Sequence, residues 1–283
     1  MTVNRYWKGY DLKMDLVSVI VQAYNSDDTI VRTLESIKAQ DYPHIELIIT
    51  DDCSKDNTIE VVKSWIEANE GSMDSIKLIT SEVNTGIVAN SNRGLKAAQG
   101  KYVEFLAADD FMSVDAISKY VEFSENNPDK IPISKVKLFG DDGRLDKNVE
   151  KYCEECYKIA LLPYKEQYKR LLIKNWIVAP AAAFFRTELM RSFGGYDESY
   201  RWFEDYPFSL KCMSKGYSYG FIDSELIHYR ISGQSITGSN MSPLKKDEAR
   251  LFFRQKMWYM VTNGMAIEAI KQSRYWIKIA LGK

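Results

Sequence analysis

Residues 101–110 read KYVEFLAADD, a short apolar run that ends without a break on two adjacent carboxylates, Asp109 and Asp110. Its length and its aromatic and β-branched content are those of a buried strand. Working outward toward the N-terminus, the chain alternates. Val88 to Ala98 reads as a helix, with Gly100 in position to cap it. Ile76 to Thr80 reads as a strand, Thr58 to Ala68 as a helix, and Ile45 to Thr50 (IELIIT) as another strand. Thr29 to Gln40 places Ile30, Leu34 and Ile37 on one helical face, behind candidate N-caps at Ser26 to Asp28. Leu16 to Ala23 (LVSVIVQA) is the unbroken apolar run of a strand buried on both faces. Strand–helix alternation at this spacing predicts an α/β fold with a mostly parallel sheet and right-handed crossovers. Ligands of such sheets gather at the carboxyl ends of the strands. Tyr24-Asn25, Asp51-Asp52 and Asp109-Asp110 all fall on that rim.

Beyond residue 112 the rhythm is irregular. Helices are expected over Ser113 to Glu125, Pro163 to Ile173, Asp205 to Lys215 (ended by Gly216), Asp247 to Met260 and Met265 to Leu281. Tyr217 to Ile222 and Leu226 to Arg230 read as two short strands, Asp141-Asp142-Gly143 as a turn, and Phe193 to Tyr200 as a loop. No Pro/Gly/Ser linker divides the chain. The expectation is one domain over 1–240, with a nucleotide-binding half at about 16–112 and an acceptor half at about 113–240, followed by a C-terminal helical extension over 241–283.

Composition narrows the class. The 283 residues are 45% hydrophobic and 27% charged, which excludes a disordered or collagen-like chain. Thirty-eight Lys and Arg against 39 Asp and Glu leave a net charge of -1, with no global footprint for nucleic acid. Four cysteines do not make a disulfide scaffold and point to a reducing compartment, the cytoplasm. The N-terminus has no apolar h-region, and the longest uncharged apolar run, Trp176 to Phe185, is half a span and contains Pro180. Two histidines leave little material for a His-based metal cluster.

Each cluster has a bland reading beside the functional one. Asp109-Asp110 is either a solvated helix start or a hard oxygen site for Mg²⁺ or Mn²⁺ with substrate phosphates. Asp51-Asp52 is either an Asx turn or a carboxylate that meets a base or ribose. Glu204-Asp205, flanked by Trp202, Phe203 and Tyr206, is either an N-cap or a partly desolvated general base. His228 is either structural or a ligand, and Arg230 either pairs on the surface or faces a diphosphate. The chain has no GxGxxG, and Cys153-Glu-Glu-Cys156 has no second pair. The aromatics of the C-terminal helices, interleaved with Lys and Arg, read first as core and alternatively as a face for a membrane surface.

The order of these clusters carries a resemblance. Val17 to Ile20 leads to Tyr24-Asn25; Asp51-Asp52-Cys53-Ser54 leads to Asp56-Asn57-Thr58; Asn84-Thr85-Gly86 leads to Asn92; Phe105 leads to Asp109-Asp110. Gly194 to Asp197, Glu204-Asp205 and Tyr229-Arg230 to Ser235–Thr237 follow. In that order the chain resembles the family-2 inverting glycosyltransferases, over roughly residues 16–240. The resemblance implies a GT-A fold, a Rossmann-like, mostly parallel central sheet flanked by helices. It implies an inverting hexosyltransferase that takes a nucleotide-sugar donor, a UDP-sugar, and a divalent metal, Mn²⁺ or Mg²⁺. The implied acceptor is a glycan or lipid-linked sugar in surface polysaccharide biosynthesis, with peripheral contact at the inner face of the plasma membrane.

By the same resemblance Gln22, Ala23, Tyr24, Asn25, Asn84, Gly86 and Asn92 belong to the nucleotide site. Asp52 would accept from the uracil edge, Asp109 would approach the ribose, and Asp110 would bind the metal with His228 as an extra ligand. Arg230 would face the diphosphate. Asp205 would be the general base, supported by Glu204. The chain departs from the family pattern at Gln22-Ala23, where Pro-Thr or Pro-Ala is frequent, at Ser91, where Arg is frequent, and at Ala107, the first acid of Asp-x-Asp-Asp. Gln22 and Ser91 motivate an alternative, an inactive homologue that holds a nucleotide sugar or glycan. A nucleotidyltransferase would share the layout, but the chain lacks its Gly-rich N-terminal signature.

Overall fold

The apolar runs form one twisted sheet. In the computed structural model, which describes residues 14–140, 147–201, 203–231 and 242–280, β1 (Val17–Ala23), α1 (Ile30–Lys38), β2 (Ile45–Asp51), α2 (Thr58–Ala68), β3 (Ser75–Thr80), α3 (Ile87–Ala97) and β4 (Tyr102–Ala107) alternate as expected. β1 pairs in parallel with β2 and with β4, and β2 with β3, so every connection is a helical crossover. β1 is the central strand, and its Val17, Val19, Ile20 and Val21 are fully buried. That two-sided burial is why its sequence shows no alternation. Gly94 lets α3 lie directly on the sheet: a Cβ there would stand 2.4 Å from Cγ2 of Ile20.

The second half is more varied. It runs β5 (Phe111–Met112), α4 (Ala116–Asn126), β6 (Lys130–Gly140), α5 (Lys147–Ala160), α6 (Tyr164–Ile173), a 3-10 turn at Pro180–Ala182, β7 (Phe185–Arg186), α7 (Thr187–Ser192), α8 (Asp205–Ser214) and β8 (Ser218–Ile231). Then come α9 (Ser242–Leu251), a π-helical segment at Phe252–Lys256, α10 (Met257–Thr262) and α11 (Ala266–Ala280). β7 closes the main sheet antiparallel to β4, in the order β3-β2-β1-β4-β7, and a smaller sheet has the order β5-β8-β6.

Three expectations change. The two short strands predicted over 217–230 are one continuous β8, and its parallel partner β6 shifts register at Ser134/Lys135 and Lys135/Val136 to absorb the polar stretch Asp223 to Glu225. The helix predicted from Asp247 begins at Ser242, and the π segment interrupts it. There Phe252 and Lys256, four residues apart, both turn inward. Asp141-Asp142-Gly143, Trp202, Ser235–Thr237 and Leu281 lie outside the described residues. Among the described residues no helix is long and apolar enough to cross a membrane.

Two buried glutamates on the strands that flank β1 have opposite fates. Glu46 on β2 accepts from Ser18 Oγ at 2.6 Å, Gly100 N at 3.0 Å and Lys77 Nζ at 3.1 Å. Burial alone would raise its pKa, but these donors outweigh it and hold the carboxyl below its ordinary value. Glu104 on β4 is fully buried, and neither carboxyl oxygen has a hydrogen-bond partner among the described residues. Burial pushes its pKa well above the ordinary carboxylate value.

Candidate active site

The carboxyl ends of β1, β2 and β4 open on a cleft of about 840 Å³. Its first wall is built by turns that tie each other down. Asn25, at φ 50°, donates its N–H to Ser54 Oγ at 2.9 Å and accepts from Lys55 N at 2.7 Å. Asp51 accepts from Ser54 N at 3.0 Å, and Asp56 caps Thr58 through its N–H and hydroxyl. Asp51 and Asp56 therefore serve loop chemistry, as the bland reading had it. Gln22, Ala23, Tyr24 and Asn25 all line the cleft, and Gln22 also donates its amide to Ser91 Oγ.

The acidic turn after β4 is held from below by α1. Thr29 Oγ1 donates to the carbonyl of Ala108 at 2.9 Å, Arg32 to that of Asp109 at 3.1 Å, and Thr33 Oγ1 to that of Asp110 at 2.6 Å. Residues at i, i+3 and i+4 of one helix thus fix successive carbonyls of the turn. The Arg32 guanidinium also packs 4.8 Å from the ring centre of Phe111 and 4.6 Å from that of Phe139. These three residues were missed in the sequence; their helical spacing beside a rim loop was the available signal.

Asp109 and Asp110 both face the cleft. Asp110 is 2% exposed, and its Oδ1 accepts from the backbone N–H of Arg230 at 2.8 Å. Burial first, then the Asp109 charge, pushes the Asp110 carboxyl well above its ordinary pKa. A buried carboxylate whose pKa stays raised although Arg32 and Arg230 act on it, beside a second carboxylate on the cleft wall, offers the hard oxygen donors that fit Mg²⁺ or Mn²⁺ carrying a substrate diphosphate. His228 does not join it. Its ring stacks on Phe111, 4.2 Å between centres, with Nε2 3.3 Å from Ser113 Oγ, and it is not part of the cleft lining. Burial and Lys137 lower its pKa below the ordinary imidazole value. The expected extra ligand therefore falls away, because strand β8 turns the neighbouring Tyr229 and Arg230 to the cleft and His228 elsewhere.

Asp52 lines the cleft while anchoring the loop that shapes it. Its Oδ1 accepts from Thr85 N at 3.0 Å and Thr85 Oγ1 at 2.6 Å, and its Oδ2 from Gly86 N at 2.7 Å. Gly86 sits at φ +90°, where a Cβ would meet Arg201 Cγ at 2.6 Å. Arg201 in turn donates to Oδ1 and the carbonyl oxygen of Asn84 at 2.7 and 2.9 Å. Asn92, expected in the nucleotide site, is instead a buried clamp. It donates to Tyr196 O and Glu198 Oε1 and accepts from Tyr196 N, which ties α3 to the 193–200 loop.

The opposite chemistry comes from α8. Glu204 and Asp205 stand at its first turn and line the same cleft, with Phe203 and Tyr206 beside them. Burial, together with the Asp205 charge, raises Glu204; burial raises Asp205, against the Asn175 amide that donates to its Oδ2 at 3.0 Å. Glu248, Phe252, Lys256 and Trp276 complete this end, so the C-terminal helices form a wall of the cleft.

The sequence signature described as glycosyl transferase family 2 matches residues 18–194. A putative teichuronic acid biosynthesis glycosyltransferase of Bacillus subtilis is 29% identical over 253 residues, 87% of this chain and 93% of its own length. A UDP-Glc:alpha-D-GlcNAc-diphosphoundecaprenol beta-1,3-glucosyltransferase of Escherichia coli is 38% identical over 112 residues, 40% of this chain and 42% of that protein. The fold matches S. aureus TarS 1-349 in complex with UDP-GlcNAc, with a TM-score of 0.67 at 20% identity over 94% of this chain and 73% of that one. With the parallel sheet, the acidic rim and a family match across more than half of its length, the chain belongs to glycosyl transferase family 2 and has the GT-A fold.

Proposed function

We propose that this protein transfers a sugar from a UDP-sugar to a hydroxyl of a glycan or lipid-linked sugar acceptor, with inversion, in cytoplasmic steps of surface polysaccharide biosynthesis. The observation that carries the reading is that Asp109-Asp110 and Glu204-Asp205, from different elements, face one cleft. The activities for which the B. subtilis and E. coli relatives are named, and the UDP-GlcNAc bound by the structural neighbour, support the substrate class.

In this mechanism Gln22, Tyr24, Asn25 and the 84–86 loop hold the nucleotide, and Asp109 and Asp110 would hold a divalent cation against the diphosphate. Bound there, the cation would supply charge neutralisation to the leaving group. Asp205 takes the proton from the acceptor hydroxyl as its oxygen bonds to the anomeric carbon and the bond to the nucleoside diphosphate breaks. One base on the face opposite the leaving group suffices for inversion. Asn175 orients that carboxylate, and Glu204 stands beside it on the same wall of the cleft. The test is calorimetric titration with UDP, GDP and CDP, with and without Mn²⁺, on wild type and Asp110→Ala. Mn²⁺-dependent UDP binding that the substitution removes is the expected result; no binding of any nucleotide overturns the reading.

A further inference from the structure

Helix α11 is apolar on two sides. Its inner side packs: Ala269 is buried and Trp276 both meets the core and lines the cleft. Its outer side is bare. Ile267 is 75% exposed, Ile270 56% and Ile277 46%, and positions 267, 270, 274 and 277 follow the i, i+3, i+7, i+10 spacing of a single stripe. Beside that stripe lie Tyr275, 54% exposed, and the exposed cations Lys271, Arg274 and Lys278. Glu268, the one acid in α11, stands at the edge of this face beside Tyr275 and accepts from Gln272 at 3.1 Å, so the three cations outnumber it. In the preceding helix α10, Trp258 is also exposed, at 66%.

We propose that the outer face of α11, with Trp258, is a docking surface for an anionic lipid bilayer. Isoleucines that gain by leaving water, cations that seek anionic headgroups, and Trp and Tyr suited to the interface are the components of an in-plane membrane helix. The charge pattern argues against a second copy. A two-fold interface on this stripe would set Lys271, Arg274 and Lys278 against themselves. Because Trp276 of the same helix lines the cleft, a bilayer on the outer face lies one helix away from the acceptor end, and a lipid-carried acceptor would enter there. This last step rests on the transferase reading; the docking surface does not.

The test is sedimentation of the full chain with phosphatidylglycerol-containing vesicles and with pure phosphatidylcholine vesicles, at low and high salt. Two variants accompany it: Ile267→Ser/Ile270→Ser/Ile277→Ser and Lys271→Glu/Arg274→Glu/Lys278→Glu. Binding to the anionic vesicles, weakened by salt and reduced at least about tenfold in both variants, is expected. UDP titration on the same variants should match wild type, which also reports that they fold. Vesicles without acceptor make this outcome independent of transfer, so each reading can fail alone. No binding to anionic vesicles, equal binding by the variants, or a wild-type dimer in sedimentation velocity that the Ser variant dissolves would overturn the proposal.

Discussion

Thr33 Oγ1 on α1 donates to the carbonyl oxygen of Asp110 at 2.6 Å, inside a site where Asp110 itself is 2% exposed. The position of the acidic turn is therefore set by the first turn of α1 and the residue that precedes it. Thr33→Val keeps the shape and removes the donor, leaving a buried carbonyl unpaired. A stability loss of about 1–2 kcal/mol is expected in urea denaturation. The Mn²⁺-dependent UDP affinity should fall by roughly 3–10-fold, with the pH profile of turnover unchanged. Thr33→Ser should restore both; a Ser variant as weak as the Val variant would show that the methyl, not the hydroxyl, matters.

Gln22 and Ser91, two of the positions where this chain departs from the pattern it resembles, are hydrogen-bonded to each other. Ser91 Oγ in turn donates to the carbonyl oxygen of Ile87 at 2.6 Å. Ser91→Ala should leave the Gln22 amide partly unpaired, and a double-mutant cycle with Gln22→Ala should return a coupling of about 0.5–1.5 kcal/mol in stability. Gln22 lines the cleft and Ser91 does not. Donor KM should therefore rise more for Gln22→Ala than for Ser91→Ala. A coupling near zero would mean the pair is incidental.

The first half of the fold was readable because burial on both faces writes strands as apolar runs, and because parallel sheets put ligands at a known edge. That logic found Asp109-Asp110 and the Tyr24-Asn25 turn. It could not find Thr29, Arg32 and Thr33, whose polar spacing looks like a solvated helix face until β4 delivers its turn beside them. It split β8 in two because Asp223 to Glu225 reads as a turn, whereas a register shift in β6 accommodates it. It placed Asn92 and His228 in the site by family order, yet Asn92 clamps the 193–200 loop and His228 stacks on Phe111. Nothing in the sequence singled out Lys256, which is 5% exposed in the cleft wall, a consequence of contacts between elements far apart in sequence.

Asp205 and Glu204 make the pH dependence of turnover a direct check on the base. Both carboxyls are raised by burial, Glu204 to about 8, and they titrate as a pair. The acid limb of kcat should therefore lie above the ordinary carboxylate range. Asn175 donates to Asp205 and favours its charged form, so Asn175→Ala should move that limb to higher pH. Asp205→Asn should cut turnover by about 10²–10⁴-fold while leaving UDP affinity within about twofold. A variant that turns over normally, or a limb that Asn175→Ala moves to lower pH, would take the base role from Asp205.

Glu104 offers a stability measurement separate from catalysis. The carboxyl is fully buried without a partner among the described residues, and burial holds its pKa far above the unfolded value. The folded chain therefore keeps a proton that the unfolded chain releases above about pH 4.5. Between those two values the native state binds more protons, so the stability contributed by this group is complete below the unfolded pKa and is lost as pH rises. Glu104→Gln cannot ionise in either state. Its stability relative to wild type should grow with pH above about 5, by at most about 1.4 kcal/mol per pH unit, in urea midpoints compared across that range. A difference that stays flat with pH would mean that the wild-type carboxyl is already ionised in the folded protein, and that the chain stabilises a charge at a site where no donor reaches it.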